Sequence, residues 1–157
     1  MKLSIVIPAH NEEQRLPPVL EAYAAFFQNA MGDEAEILLV ANGCEDDTAK
    51  VANEIAASYE NIRVIDEPNR VGKGGAIILG AEAASGDYVG FVDADGATSA
   101  EEFFRLYGKA DGADGVIASR WIKGADVVIP QKAMRLLSSR MFNWLTRGLL
   151  GLKYSDT

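Results

Sequence analysis

The sequence predicts an α/β fold, a mostly parallel central sheet with helices on both faces. Three observations predict it. Short apolar-rich runs of strand length recur at 3–7, 36–41, 62–65 and 88–92. Stretches with helical spacing of apolar residues separate them. Each run also ends in a loop rich in Gly, Pro, Asn or Asp, as expected where a strand hands over to a helix.

In order, Leu3–Ile7 is a continuous apolar run suited to a strand covered on both faces, and it stops at Pro8. The loop Pro8-Ala-His-Asn-Glu12 follows. Asn11 is expected to cap the next helix with Gln14 closing the box, and Pro17–Pro18 lie in its first turn. Glu36–Ala41 is the second strand; its exit loop 42–48 leads into a helix to about Tyr59, capped by Asp46 or Asp47. Ile62–Ile65 is the third strand. Asn69-Arg-Val-Gly-Lys-Gly-Gly75 then opens a helix through Ala84, and glycines with a lysine and an arginine at a helix N-terminus form an anion site. This is neither a Walker A loop, since no Ser/Thr follows the lysine, nor the dinucleotide fingerprint, which belongs after the first strand. The fourth strand, Tyr88–Val92, runs into Asp93-Ala-Asp95-Gly96, and Ser99 with Glu102 forms a capping box for a helix over 100–110. Gly115–Ser119 is expected to be a fifth strand, and 132–150 a long helix with Met134, Leu137, Met141, Leu145 and Leu149 on one stripe.

The 157 residues suit one domain. Charge is unevenly placed: residues 1–119 hold 8 Lys/Arg against 21 Asp/Glu, and residues 120–157 hold 7 against 2. The expected division is therefore a ligand-binding part over 1–119 and a basic part over 120–157 that meets something anionic. A solvated helix face would give the same charge. Basic and aromatic residues do not cluster as nucleic-acid binding requires. The single cysteine, Cys44, forms no internal disulfide and fits a reducing compartment. No apolar run reaches transmembrane length, and the N-terminus enters a strand without a leader pattern.

Asp93 and Asp95 carry the sharpest chemical signal. Two carboxylates one residue apart at a strand exit repel unless a cation joins them, and hard oxygen ligands suit Mg2+ or Mn2+, which in turn carry phosphates. An Asp/Gly turn alone would look the same; the surrounding loops favour the metal. PAHNE, NGCEDDT, NRVGKGG and DADG all follow strands, so a parallel sheet puts them on one edge, where ligands bind in open α/β sheets. Together they make a pocket for a nucleoside diphosphate. His10, the only histidine, reads as a loop residue beside that pocket.

With SIVIPAHNEE, NRVGKGGAIILGAEAASGDYVGFVDADGATS and SRWIKGADVVIPQ in that order, the sequence resembles the family 2 glycosyltransferases of the GT-A fold, especially the dolichyl-phosphate mannose and glucose synthases and their archaeal relatives. The resemblance implies a Rossmann-like αβα sandwich and transfer of glucose or mannose, with inversion, from a UDP- or GDP-sugar to a polyprenyl or dolichyl phosphate. It implies that Pro8, Ala9, Asn11, Glu12, Asn42, Lys73 and Asp93 hold the nucleotide, with Asn42 where the family often has a base-reading aspartate. Asp95, with Asp93, would hold the metal. Arg120, Arg135 and Ser139 would grip the acceptor phosphate, with Arg120 and Arg135 counted among the catalytic groups. Asp156 is a base by position only, were the acceptor a sugar hydroxyl. The family pattern continues past Asp156-Thr157, so the acceptor side is expected to be truncated here, and a sheet or helix edge left open would favour a homodimer. The expected location is cytoplasmic, in peripheral contact with a membrane. Two other readings stay open: transfer to a saccharide hydroxyl, and a nucleotide-sugar-binding module without turnover. A phosphatase of the DxDxT type fits poorly, because Thr98 falls one residue late.

Overall fold

The computed structural model describes residues 3–118. Among these, strands and helices alternate as β1 (Leu3–Ala9), α1 (Leu16–Met31), β2 (Ala35–Asn42), α2 (Thr48–Ala56), β3 (Ile62–Glu67), α3 (Gly72–Ala83), β4 (Tyr88–Phe91) and α4 (Ala100–Tyr107). The four strands form one sheet in the order β3-β2-β1-β4, and every pairing is parallel. The chain steps outward from β1 to β2 and β3, then returns across the sheet to lay β4 on the other side of β1. The switch point therefore lies between the carboxyl ends of β1 and β4.

β1 and β2 are buried along their whole length, which is why they read as mainly apolar runs. Val6, Leu38 and Val40 meet Ala76 on one face, with Ile65 and Leu79 packed around them. By strand alternation Ile5, Ile7, Ile37 and Leu39 turn to the opposite face. α1 buries Leu16, Leu20, Tyr23, Ala24 and Phe27, packs against β2 and against α2, and α2 packs against β3. Each fully buried Leu, Ile or Phe stabilises the fold by roughly 1.5–3 kcal/mol. Phe103 and Phe104 of α4 meet Phe26 and Phe27 of α1 at ring-centroid distances of 5.7–6.2 Å, in edge-on geometry.

A buried carboxylate ties the opposite, amino-terminal edge together. Glu36 is 7 % exposed. Its Oε1 accepts from Ser4 Oγ at 2.6 Å, Ser85 N at 2.8 Å and Ser85 Oγ at 2.7 Å, and Gly86 N donates to Ser4 Oγ at 2.9 Å. Burial pushes the Glu36 carboxyl up, but these hydrogen bonds and the charge of Arg63 outweigh it and hold the group below its ordinary range. β1, β2 and the α3–β4 turn are thus fastened at one point.

The structure corrects several boundaries. α1 begins at Leu16, capped by Arg15 without a side-chain hydrogen bond, so Asn11 and Gln14 form no capping box. Asn11 instead takes a left-handed backbone (φ 56°). Ser99 does cap α4, accepting from Glu102 N at 3.3 Å, but the Glu102 carboxylate turns to Arg105 rather than back to Ser99. Residues 115–118 carry no strand. Ile117 is 61 % exposed, and no described strand offers GVIA a ladder, which an isolated apolar run needs. The expected helix over 132–150 lies outside the described residues. By contacts, residues 1–105 form one compact unit and residues from 106 onward a second, of which the last turn of α4 and irregular chain to 118 are described.

Candidate nucleotide and metal site

A cleft of about 410 Å³ opens at the switch point, lined by residues from the β1, β2, β3–α3 and β4 exits. Pro8, Ala9, Glu12, Asn42, Lys73, Asp93 and Asp95, each expected from the sequence, all lie on it, and so does His10. A second groove between α1 and α2, of about 400 Å³ and lined by Pro17, Glu21 and Tyr59 among others, lies away from every strand exit. The cleft at the switch point is where the chemistry converges.

One wall is built by cross-links between the loops after β1 and β2. Asn42 Nδ2 donates to Ala9 O at 2.9 Å, and His10 Nδ1 lies 2.9 Å from Asn42 O. A carbonyl only accepts, so His10 Nδ1 carries the hydrogen and a neutral ring keeps Nε2 as an acceptor. Glu12 N donates to Thr48 Oγ1 at 2.7 Å, Glu13 N to Asp46 Oδ2 at 3.2 Å, and Asp47 N to Glu13 Oε2 at 3.0 Å. Burial pushes Asp46 up, but bonds from Thr48 and Glu13 prevail and hold its carboxyl below the usual range. Asn11 serves this wall rather than the cleft surface, with its Oδ1 accepting from Glu45 N at 2.8 Å. Gly43 sits at φ 56°, and a Cβ there would come within 2.7 Å of the Arg70 backbone. Glycine thus lets the β2 loop lie flat against the β3–α3 loop.

Asn42 is 2 % exposed, and its Oδ1 has no hydrogen-bond partner among the described residues. Its amide nitrogen must face the Ala9 carbonyl, so an acceptor is left over on a cleft-lining residue. Such an atom is costly unless a donor reaches it.

The other wall carries the charges. Lys73, in the first turn of α3, places Nζ 2.5 Å from Asp93 Oδ1 and 5.7 Å from the Phe91 ring centroid. Asp95 Oδ1 accepts from Ala97 N at 2.9 Å, which fixes the turn after the strand. Tyr23 reaches up from α1 to donate to Thr98 O at 3.0 Å, and burial, with Glu101 nearby, pushes its phenol up. Glu12 is paired with Arg15, at 2.7 Å from Arg15 Nε and 2.8 Å from Nη2. Arg15, Arg70, Gly72 and Ala94 complete the lining. Arg70 and Gly72 belong to the anion segment read from the sequence but were not singled out within it. Arg15 was missed; its signal was the Glu12–Arg15 spacing of one helical turn.

No group of three His, Cys, Asp or Glu side chains that could hold a metal occurs among the described residues. Asp93 and Asp95 supply hard oxygens only. That donor set suits Mg2+ or Mn2+, which take one or two carboxylates and fill the remaining positions with phosphate oxygens and water. Arg120, Arg135, Ser139 and Asp156 lie outside the described residues.

Residues 4–155 match the model of glycosyl transferase family 2. The chain belongs to glycosyl transferase family 2. Among its relatives, a dolichyl-phosphate beta-glucosyltransferase of Trichomonas vaginalis is 40% identical over 105 residues, covering 64% of this chain and 32% of the relative. Glycosyltransferase AglD of Haloferax volcanii is 31% identical over 153 residues, covering 94% of this chain and 24% of the relative. The chain thus spans about a third or less of the length of the curated relatives it matches. The solved glucosyl-3-phosphoglycerate synthase of Mycobacterium tuberculosis, in complex with Mn2+, UDP and phosphoglyceric acid, superposes with TM-score 0.56 at 28% identity, covering 73% of this chain and 40% of that one. The fold is that of the GT-A family 2 transferases.

Proposed function

We propose that this chain is the donor-binding part of an inverting hexosyltransferase that moves a sugar from a nucleoside diphosphate to a polyprenyl or dolichyl phosphate. One observation carries the reading: the exits of four parallel strands bring an orphan amide acceptor, cationic side chains and a carboxylate pair onto one cleft at the switch point. Asn42 Oδ1 would accept from a base N–H. Arg70 and Lys73 would meet the diphosphate. Asp93 and Asp95 would hold Mg2+ or Mn2+, which when bound offsets charge on the departing diphosphate. The names of the relatives favour glucose and a dolichyl-phosphate acceptor, and the UDP in the mycobacterial enzyme favours a UDP-sugar.

In the transfer, an acceptor phosphate oxygen forms a bond to the anomeric carbon from the face opposite the diphosphate, and the bond from that carbon to the diphosphate oxygen breaks. A phosphate is largely ionised near neutral pH, so its attack needs no general base. The protein's task is in-line placement, for which Arg120, Arg135 and Ser139 are the proposed grip. No helix among the described residues is long and apolar enough to cross a membrane. The proposed arrangement is peripheral contact with the cytoplasmic face, where the basic part would also meet anionic headgroups.

A thermal-shift panel of UDP-, GDP- and dTDP-sugars, with and without Mn2+, tests this. At a donor concentration of about 100 Kd, stabilisation is about 2.7 kcal/mol, which at this length raises Tm by about 5–11 °C. The expected result is a Mn2+-dependent shift with a UDP-sugar that Asp95→Ala removes. No shift with any donor in the presence of Mn2+ refutes the reading.

A further inference from the structure

If the cleft is the donor site proposed above, its ion pairs decide how it admits a metal. Of the three acidic side chains on the cleft, Glu12 is paired with Arg15 and Asp93 with Lys73. Lys73 Nζ stands 2.5 Å from Asp93 Oδ1, on one of the two carboxylate oxygens that Asp93 could offer a divalent ion. An ammonium and a divalent cation cannot share that position, because like charges that close repel strongly. The Phe91 ring, 5.7 Å from Nζ, adds a cation–π contact that favours the same placement. Yet the lysine is not locked in. Its side chain is 55 % exposed and flexible, so it leaves when a stronger anion is within reach. Lys73 lies in the first turn of α3, where backbone N–H groups and the helix dipole favour an incoming phosphate.

We propose that Lys73 is a positioning residue that holds Asp93 closed to divalent cations until a diphosphate draws the ammonium away, so that metal and nucleotide enter as a coupled pair. With Lys73 on Asp93, the metal alone is offered Asp95 and a carboxylate already neutralised. With Lys73 on a diphosphate, it is offered both carboxylates and phosphate oxygens. An ordinary surface ion pair would have no such consequence, and the two cases differ in the sign of one measurement.

That measurement is binding of Mn2+ alone to the full chain, followed by the electron paramagnetic resonance of the free ion. Lys73→Met should bind Mn2+ on the order of tenfold tighter than wild type, the sum of a broken ion pair and a removed repulsion. Lys73→Arg should stay as weak as wild type, and Asp93→Asn added to Lys73→Met should abolish the gain. With UDP at one fixed concentration, Mn2+ affinity should rise more in wild type than in Lys73→Met; chelation by free UDP is common to both and cancels. Circular dichroism checks the fold, and Lys73→Gln replaces the methionine variant if that one is perturbed. Equal or weaker Mn2+ binding by the neutral variant overturns the proposal. If the gain appears but neither UDP nor GDP binds either protein, the transferase reading fails and the competition for Asp93 stands.

Discussion

Replacing Gly80 by alanine tests how α3 is seated on the sheet, and hence how Lys73 reaches the cleft. A Cβ at this position would stand 2.4 Å from Val6 Cγ1, 2.9 Å from Val6 Cγ2 and 3.2 Å from Val40 Cγ2. Aliphatic carbons rest about 3.5–4.0 Å apart, so the helix or Val6 must move by more than about 1 Å. Val6 and Val40 are fully buried in β1 and β2 and have nowhere to retreat. Overpacking of this kind costs about 1–3 kcal/mol. Alanine recovers about 1 kcal/mol through helix propensity, leaving a net loss of up to about 2 kcal/mol. For a chain of this size Tm should fall by up to about 8 °C. Gly74, in the same helix, has nothing within 4 Å of its would-be Cβ. Gly74→Ala should therefore leave Tm unchanged or raise it slightly. Paired melts by circular dichroism make the comparison. If Gly80→Ala melts at or above wild type, α3 does not owe its seat to this contact, and the placement of Lys73 must be explained otherwise.

Two further outcomes follow from the same geometry. Glu36 has a lowered native pKa, so its contribution is present above the unfolded value and is lost as pH falls through the native one. Glu36→Gln should cost about 1–3 kcal/mol near pH 7 and flatten the loss of stability below about pH 4.5; denaturant titrations at several pH values read both, and parallel pH profiles for the two proteins would refute the assignment. Arg135→Ala should spare the Mn2+-dependent donor shift and raise KM for a polyprenyl-phosphate acceptor about tenfold or more. Equal loss of donor and acceptor binding would place Arg135 elsewhere.

The sheet was legible because a parallel strand covered on both faces is mainly apolar, and β1 and β2 are, with Ser4, Glu36 and Asn42 as buried polar exceptions. The cleft was legible for a related reason: parallel strands exit on one edge, so loops far apart in sequence converge without any knowledge of side-chain contacts. What stayed hidden depends on contacts across that distance. Asn11 has the residue type of a helix cap, but its backbone turns left-handed and its side chain serves Glu45 across the cleft wall. Glu36 reads as the polar start of a strand, and its hydroxyl partners are 32 and 49 residues away. Residues 115–118 have strand composition but no ladder among the described residues; composition states a preference, and only a neighbour turns it into a strand.

The charges on the cleft connect these points. Three acidic and three basic side chains line it, and two of each are already spent on one another. Arg70 and Asp95 are left without an ion pair among the described residues. A diphosphate arriving alone would find one free arginine; a divalent ion arriving alone would find one free carboxylate. Each would have to break the Lys73–Asp93 pair without compensation for the released partner. Arriving together they cancel each other's charge, and the broken pair is replaced on both sides, lysine by metal and carboxylate by phosphate. The cleft is thus near neutrality in both states and unbalanced only with one guest, which is the electrostatic condition for coupled entry. Coupling of this kind is reciprocal, so the factor by which UDP tightens Mn2+ must equal the factor by which Mn2+ tightens UDP. If Lys73 is the coupling element, both factors shrink together in Lys73→Met. A variant in which one shrinks and the other does not would show that the two measurements report different sites.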